Sequence, residues 1–161
     1  MSIESLAETA QALVAPGKGI LAIDESTATI GKRFAAVGIE NTEAHRRRYR
    51  ELLLTTPRLS DHISGAILFE ETLRQSTEDG TPFPKYMASH GLIPGIKVDK
   101  GTSPLAGCPG ERVTEGLDGL RDRLKAYYAL GARFAKWRAV INIGEDIPSG
   151  TCIEVNAHAL A

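Results

Sequence analysis

Residues 134–141 read F-A-K-W-R-A-V-I, with two cations set two residues apart inside an otherwise apolar, strand-like run. Strand side chains alternate between faces, so Lys136 and Arg138 are expected to share one face and Ala135, Trp137 and Ala139 the other. Lysine and arginine are seldom enclosed by covering helices unless they are paired or positioned to meet an anion. The cationic face of this run therefore points to a site. A solvated face on an edge strand is the plainer alternative, but edge strands rarely carry so much apolar bulk.

The same design recurs upstream. Residues 19–23, G-I-L-A-I, form a short apolar run that delivers Asp24 and Glu25 at its end, followed by Ser26, Thr27 and Thr29. Ser26 or Thr27 can cap a helix over about residues 30–37, and the backbone N–H groups of such a helix start can also receive a phosphate. A second strand over residues 64–69 again finishes in acid, at Glu70 and Glu71. The third, residues 93–98, carries Pro94 near its beginning and Lys97 and Asp99 at its carboxyl end. The opening stretch is the fourth.

Helical patterns separate these strands. Ser5 and Glu8 make a capping pair ahead of an apolar stripe at Leu6, Ala10, Leu13 and Val14. Residues 41–54 place Tyr49, Leu52 and Leu53 on an apolar side, with Arg46, Arg47, Arg48 and Arg50 read as a solvated charge run. A short helix is expected before residue 93. A Gly/Pro-rich loop over residues 101–110 leads to a helix over 117–130 that carries Leu117, Leu120, Leu124, Tyr127 and Tyr128 at helical spacing and stops at Gly131. Residues 153–161 form the last helical segment.

Strand and helix alternating at intervals of about 30–45 residues is the rhythm of parallel α/β folds. No G-x-G-x-x-G or P-loop motif follows the first strand, so nucleotide-binding readings lack their fingerprint. The expected fold is a (β/α)8 TIM barrel, in which catalytic groups come from the carboxyl ends of several strands, where Asp24, Glu70, Lys97, Lys136 and Arg138 fall. Four strands supply half of such a barrel. One domain is expected over residues 1–161, being the N-terminal half of a single barrel, with no second domain.

Composition bounds the function. The chain has 161 residues, 42% hydrophobic and 24% charged, the profile of an ordinary globular domain. Nineteen basic residues balance twenty acidic ones, so no nucleic-acid or anionic-membrane surface is expected and any anion binding is local. The absence of a basic leader and of a long apolar run points to a cytoplasmic protein. Cys108 and Cys152 belong to no C-x-x-C and are expected to be free thiols. The histidines show no paired metal-ligand spacing, and no metal or other cofactor is expected.

Five motifs in order, G-K-G-I-L-A-I-D-E-S-T from Gly17, E-N-T-E from Glu40, G-I-K-V-D-K-G from Gly95, G-L-D-G-L from Gly116 and F-A-K-W-R from Phe134, resemble those of class I fructose-bisphosphate aldolase. The combination is specific where each piece alone is weak. It implies a (β/α)8 lyase, a homotetramer, that reversibly cleaves fructose 1,6-bisphosphate to glycerone phosphate and glyceraldehyde 3-phosphate through a lysine Schiff base. The resemblance implies catalytic roles for Asp24, in acid/base chemistry, and for Lys136, in supporting charge development and proton transfer. It assigns Ser26, Thr29, Arg33, Arg46, Lys97 and Arg138 to the sugar-phosphate substrate. Thr29 stands where the animal members have serine, and Ile23 where they have alanine. The family's Schiff-base lysine, with a glutamate acid/base and further phosphate ligands, lies on later strands and is expected beyond Ala161. The chain as written is thus expected to be inactive alone. The alternative is a non-catalytic half-barrel that at most binds sugar phosphates or pairs with another polypeptide.

Physical chemistry agrees with the residue types. A bisphosphate brings up to about four negative charges, which Lys97, Lys136 and Arg138 attract, arginine with bidentate geometry. Cleavage next to a hydroxyl carbon needs a base, for which Asp24 is a candidate, and an electron sink, for which a lysine iminium serves as well as a metal ion. Residue chemistry alone nominates Lys136 as that nucleophile, because neighbouring cations disfavour its charge. The resemblance places the nucleophile elsewhere.

Overall fold

The computed structural model describes residues 6–161, so the Ser5–Glu8 capping pair lies outside the described residues. α1 (Leu6–Leu13) leads into β1 (Gly19–Ile23), α2 (Thr27–Ala35) and α3 (Glu43–Leu54). One helical turn, α4 (Leu59–His62), runs into β2 (Ile63–Leu68), followed by the single turn α5 (Glu70–Leu73), α6 (Phe83–Ser89) and β3 (Ile93–Lys97). β4 (Thr102–Pro104), β5 (Arg112–Thr114), α7 (Leu120–Ala129), β6 (Phe134–Lys136) and α8 (Gly150–Leu160) follow. β1, β2, β3 and β6 form one sheet in that order, with β1–β2 and β2–β3 parallel. The described residues divide into two compact units: the chain through Lys97 with Lys125–Ala135, and Val98–Leu124 with Lys136–Ala161.

In the first unit the helices cover one face of the sheet. Ile23, Ala66, Leu68 and Ile96 are at most 2% exposed, and the same core takes Ile30 and Phe34 from α2, Leu54 from α3, and Phe83 and Met87 from α6. Side chains of opposite parity on β1 face the other way, where Ile20 is 43% exposed and Ala22 is also open. α2 and α3 each begin where a hydroxyl replaces a missing partner: Ser26 Oγ accepts from Thr29 N at 3.3 Å, and Thr42 Oγ1 from His45 N at 3.2 Å. Ser64 donates to the carbonyls of Leu13 (2.6 Å) and Gly19 (3.1 Å), tying the end of α1 to the start of β1.

Close approach rather than backbone freedom explains Gly65. A Cβ built there would lie 2.6 Å from the carbonyl oxygen of Ile93 and 3.1 Å from a Leu13 methyl. A backbone atom in β3 cannot yield without disturbing the strand pairing. Gly65→Ala is expected to destabilise the protein by about 1–3 kcal/mol, the usual cost of overpacking; urea unfolding measures this, and an unchanged midpoint would show that the two strands separate freely.

The second unit holds a ribbon that the sequence did not announce. β4 and β5 pair antiparallel, Thr102 opposite Thr114 and Pro104 opposite Arg112; β4 lies inside the 101–110 stretch expected to be loop, and β5 just beyond it. The Arg112 guanidinium fastens the pair, donating to Thr102 Oγ1 at 2.6 Å and Thr102 O at 2.8 Å. α8 packs on β5. Asn156, 2% exposed, donates to Arg112 O at 3.0 Å and to Cys152 O at 2.9 Å.

Several expectations need correction. The fourth strand ends at Lys136 instead of continuing to residue 141, because the main chain beyond is held differently: Arg138 O accepts from Thr114 Oγ1 at 2.8 Å. Arg138 is therefore not a strand neighbour of Lys136, and it is exposed where Lys136 is half-buried. Ala135, expected on a covered apolar face, is exposed. The arginine run of α3 is not uniformly solvated, since Arg50 is 2% exposed, whereas Leu52, expected to face inward, is 68% exposed. On α7 only Tyr127 is buried; Tyr128 is 62% exposed, with the Arg133 guanidinium 4.2 Å over its ring.

Candidate active site

The parallel register sets the level of the first unit's site. Ile23 lies opposite Leu68, and Leu68 opposite Ile96, so Asp24, Phe69 and Lys97 each come next at the carboxyl ends of three neighbouring strands. Asp24 and Lys97 are both half-buried. A carboxylate and an ammonium at one level on one edge of a sheet are suited to proton transfer and to anion attraction respectively.

Ser26 and Thr29 stand immediately beyond, at the start of α2. Their hydroxyl oxygens are 3.1 Å apart, and Ser26 also caps the helix. Two hydroxyls at a helix N-terminus, at the positive end of the helix dipole, are groups of the kind that suit a phosphate. Arg33, one turn on, has a side chain 59% exposed and pairs with Glu25.

Charges behind this edge are more highly organised than the sequence suggested. The Glu25 side chain is 10% exposed and lies 2.9 Å from Nη2 of Arg50, while the same nitrogen donates to Glu25 O at 3.0 Å. Burial pushes the Arg50 guanidinium pKa down, and Glu25 is the chief influence against it, with Tyr49, Asp24 and Glu71 adding smaller ones. Arg50 Nε and Nη1 are buried without a hydrogen-bond partner among the described residues. One helical turn earlier, Arg46 forms a two-pronged bond with Glu71, Nε to Oε2 at 2.8 Å and Nη2 to Oε1 at 2.6 Å. That hydrogen-bonded carboxylate holds the Arg46 pKa above its ordinary value.

The structure thus engages Arg46 with an internal carboxylate, and brings Ser26 to Thr29 and Glu25 to both Arg33 and Arg50. Lys136 and Arg138 belong to the second unit, where Lys136 O accepts from Val98 N at 3.1 Å and Arg138 O from Thr114. Glu25, Arg50 and Glu71 were missed as members of the site's support. The spacing Arg46, Arg50, Leu54 was the available signal, because residues four apart share one helix face and Leu54 is buried.

A cleft of about 930 Å³ in the first unit lies at the opposite edge, lined by Ser64 and Ile93 at strand beginnings with Ala12, Lys18, Leu92 and Arg133. In barrels that edge serves stability, and the strand carboxyl ends hold the chemistry. Among the described residues no cluster of His, Cys, Asp or Glu is arranged to hold a metal ion, and no helix is long and apolar enough to cross a membrane.

A family model described as fructose-bisphosphate aldolase class-I matches residues 5–161. The chain belongs to the class-I fructose-bisphosphate aldolase family. It is 82% identical over all its 161 residues to the probable class 1 fructose-bisphosphate aldolase of Xanthomonas campestris, covering 48% of that protein. Over 146 residues, 91% of the chain, it is 62% identical to cytosolic fructose-bisphosphate aldolase 6 of Arabidopsis thaliana, covering 41% of that relative. The fructose-bisphosphate aldolase of Plasmodium falciparum, solved in a ternary complex with TRAP and a small-molecule inhibitor, superposes with a TM-score of 0.93 and 52% identity, over 96% of this chain and 45% of that one. The chain spans about half the length of the aldolase relatives it matches. Its parallel sheet and alternating helices are about the first four units of the aldolase (β/α)8 barrel, as its strand spacing led us to expect.

Proposed function

We propose that the protein carrying this chain is a cytosolic, Schiff-base aldolase that reversibly cleaves fructose 1,6-bisphosphate into glycerone phosphate and glyceraldehyde 3-phosphate. The observation that carries this reading is the placement of Asp24 and Lys97 at one level on the strand carboxyl ends, with the Ser26–Thr29 hydroxyl pair next to them at a helix start. Asp24 moves the proton on the hydroxyl whose carbon becomes the aldehyde. Ser26, Thr29 and Arg33 hold one phosphate, with Arg33 released from Glu25 when the anion arrives, and Lys97 and Arg138 attract the substrate. Arg46 acts through Glu71 rather than on substrate directly. Lys136, protonated, steadies the negative charge that develops as the carbon–carbon bond breaks. The iminium that receives the bonding electrons forms on a lysine other than Lys136, and the assembled enzyme is a homotetramer.

Borohydride reduction separates this assignment from the simpler one in which Lys136 is the nucleophile. Lys136 lowers the cost of developing charge only while it keeps its proton, whereas an imine-forming lysine must lose it. With glycerone phosphate and borohydride, the 161-residue chain is expected to gain no reduced adduct at Lys136. An adduct on the peptide containing Lys136 would overturn the assignment. The whole protein, treated alike, is expected to be trapped at a different lysine.

A further inference from the structure

The second unit brings together the chain's two cysteines, Cys108 and Cys152, around a single carboxylate. Glu111, 3% exposed, accepts from Ser149 N at 2.7 Å at the start of α8, and Ser149, with the nearby Cys152 and Cys108 groups, holds its carboxyl pKa below the ordinary value. Ser149 links the pair a second time: its Oγ lies 3.8 Å from Cys108 Sγ and accepts from Cys152 N at 3.1 Å. Cys108 is half-exposed on the loop joining β4 to β5, whereas Cys152 is 1% exposed in the first turn of α8. The two thiols therefore differ in access while sharing one set of polar neighbours.

We propose that Cys108 and Cys152 form a reversible thiol–disulfide modification site, in which Cys108 meets a small-molecule disulfide such as glutathione disulfide and Cys152 resolves the product. In the first step the Cys108 thiolate attacks the small disulfide, a Cys108–S–S–R bond forms, and one RS⁻ leaves and takes up the proton that Cys108 lost. In the second, Cys152 loses its proton toward the Glu111 carboxylate and solvent, attacks the Cys108 sulfur, and releases the second thiol. The two cysteines are oxidised to one disulfide and RSSR is reduced to two RSH, so electrons and protons balance. Division of labour follows from the geometry. Burial and the adjacent carboxylate push the Cys152 thiol up, which keeps it from reacting with solvent oxidants, while Ser149, in contact with both residues, keeps it in the neighbourhood of a Cys108 sulfur already oxidised. The bond would clamp the β4–β5 loop to the first turn of α8.

The test uses the native protein incubated with glutathione disulfide, then alkylated and digested with trypsin without reduction. Cys108 and Cys152 fall on separate peptides, one ending at Arg112 and one beginning at Ala139. The expected product is those two peptides joined by a disulfide within one chain, reverting on addition of dithiothreitol. Cys152→Ser is expected to stop at the mixed disulfide on Cys108, and Cys108→Ser to leave Cys152 reduced. Wild-type protein that accumulates the mixed disulfide at Cys108 without cross-linking, that links Cys108 only between chains, or that stays reduced throughout would each overturn the proposal. These readouts depend on no assay of aldolase activity, so they stand or fall apart from the proposed function.

Discussion

Asp24→Asn is expected to lower kcat for fructose 1,6-bisphosphate cleavage by about 100- to 10,000-fold, the usual worth of a positioned general acid or base, with KM and the melting temperature little changed. Asparagine keeps the shape of the side chain and loses its ability to carry a proton. Asp24 is well placed for that role because both of its sequence neighbours with structural duties are fixed: Ile23 is 2% exposed in the core, and Glu25 is held by Arg50 through its carboxylate and its carbonyl. A base on so constrained a segment would meet its substrate without a search over backbone conformations. A variant that retained wild-type kcat would remove Asp24 from the chemistry; one that lost KM alone would make it a binding group.

Glu25→Ala should be the most damaging change to stability among the charged residues. Arg50, 2% exposed, would then keep its charge in the interior without the carboxylate that pairs with it, Asp24 and Glu71 acting on it only more weakly. Breaking a buried pair from one side costs on the order of 3–5 kcal/mol, because the remaining ion is left uncompensated. Replacing both members, Glu25→Gln with Arg50→Met, removes the charge as well as its partner and is expected to recover much of that loss. Urea unfolding of the two variants provides the comparison. A double variant no more stable than Glu25→Ala would mean that Arg50 matters through its bond to the Glu25 carbonyl rather than through charge.

How far the fold could be read in advance depended on how local its cause was. Strands at residues 19–23, 64–69 and 93–98 were legible because each is a short apolar run closed by polar residues, and the structure moves their limits by at most one residue. The β4–β5 ribbon was not, since three-residue strands carry no detectable alternation and their pairing is fixed by Arg112 reaching across to Thr102. Arg46 and Arg50 were read as solvated because composition alone cannot show that Glu71 and Glu25 wait behind them. At the candidate site, Asp24 and Lys97 could be placed because strand ends are where parallel sheets present their chemistry. Their support could not, since it joins Arg50 and Arg46 on α3 to Glu25 and Glu71, residues far apart along the chain. The cysteine pair was hidden for the same reason: Cys108 and Cys152 share Ser149 as a neighbour only through the fold of the second unit, in which α8 packs on β5.

The exposed side of β1 also has a meaning in time. A ribosome adds about 5–20 residues per second, and domains begin to fold from the amino end. In a relative of which these residues make up 48%, an equal further length takes on the order of 10–30 s to synthesise at that pace. During that interval β1, a terminal strand of the sheet, presents Ile20 and Ala22 to whatever else the emerging chain meets. An aldolase that folds this sheet early would need a chaperone most in those seconds, and the residues to be shielded are on β1.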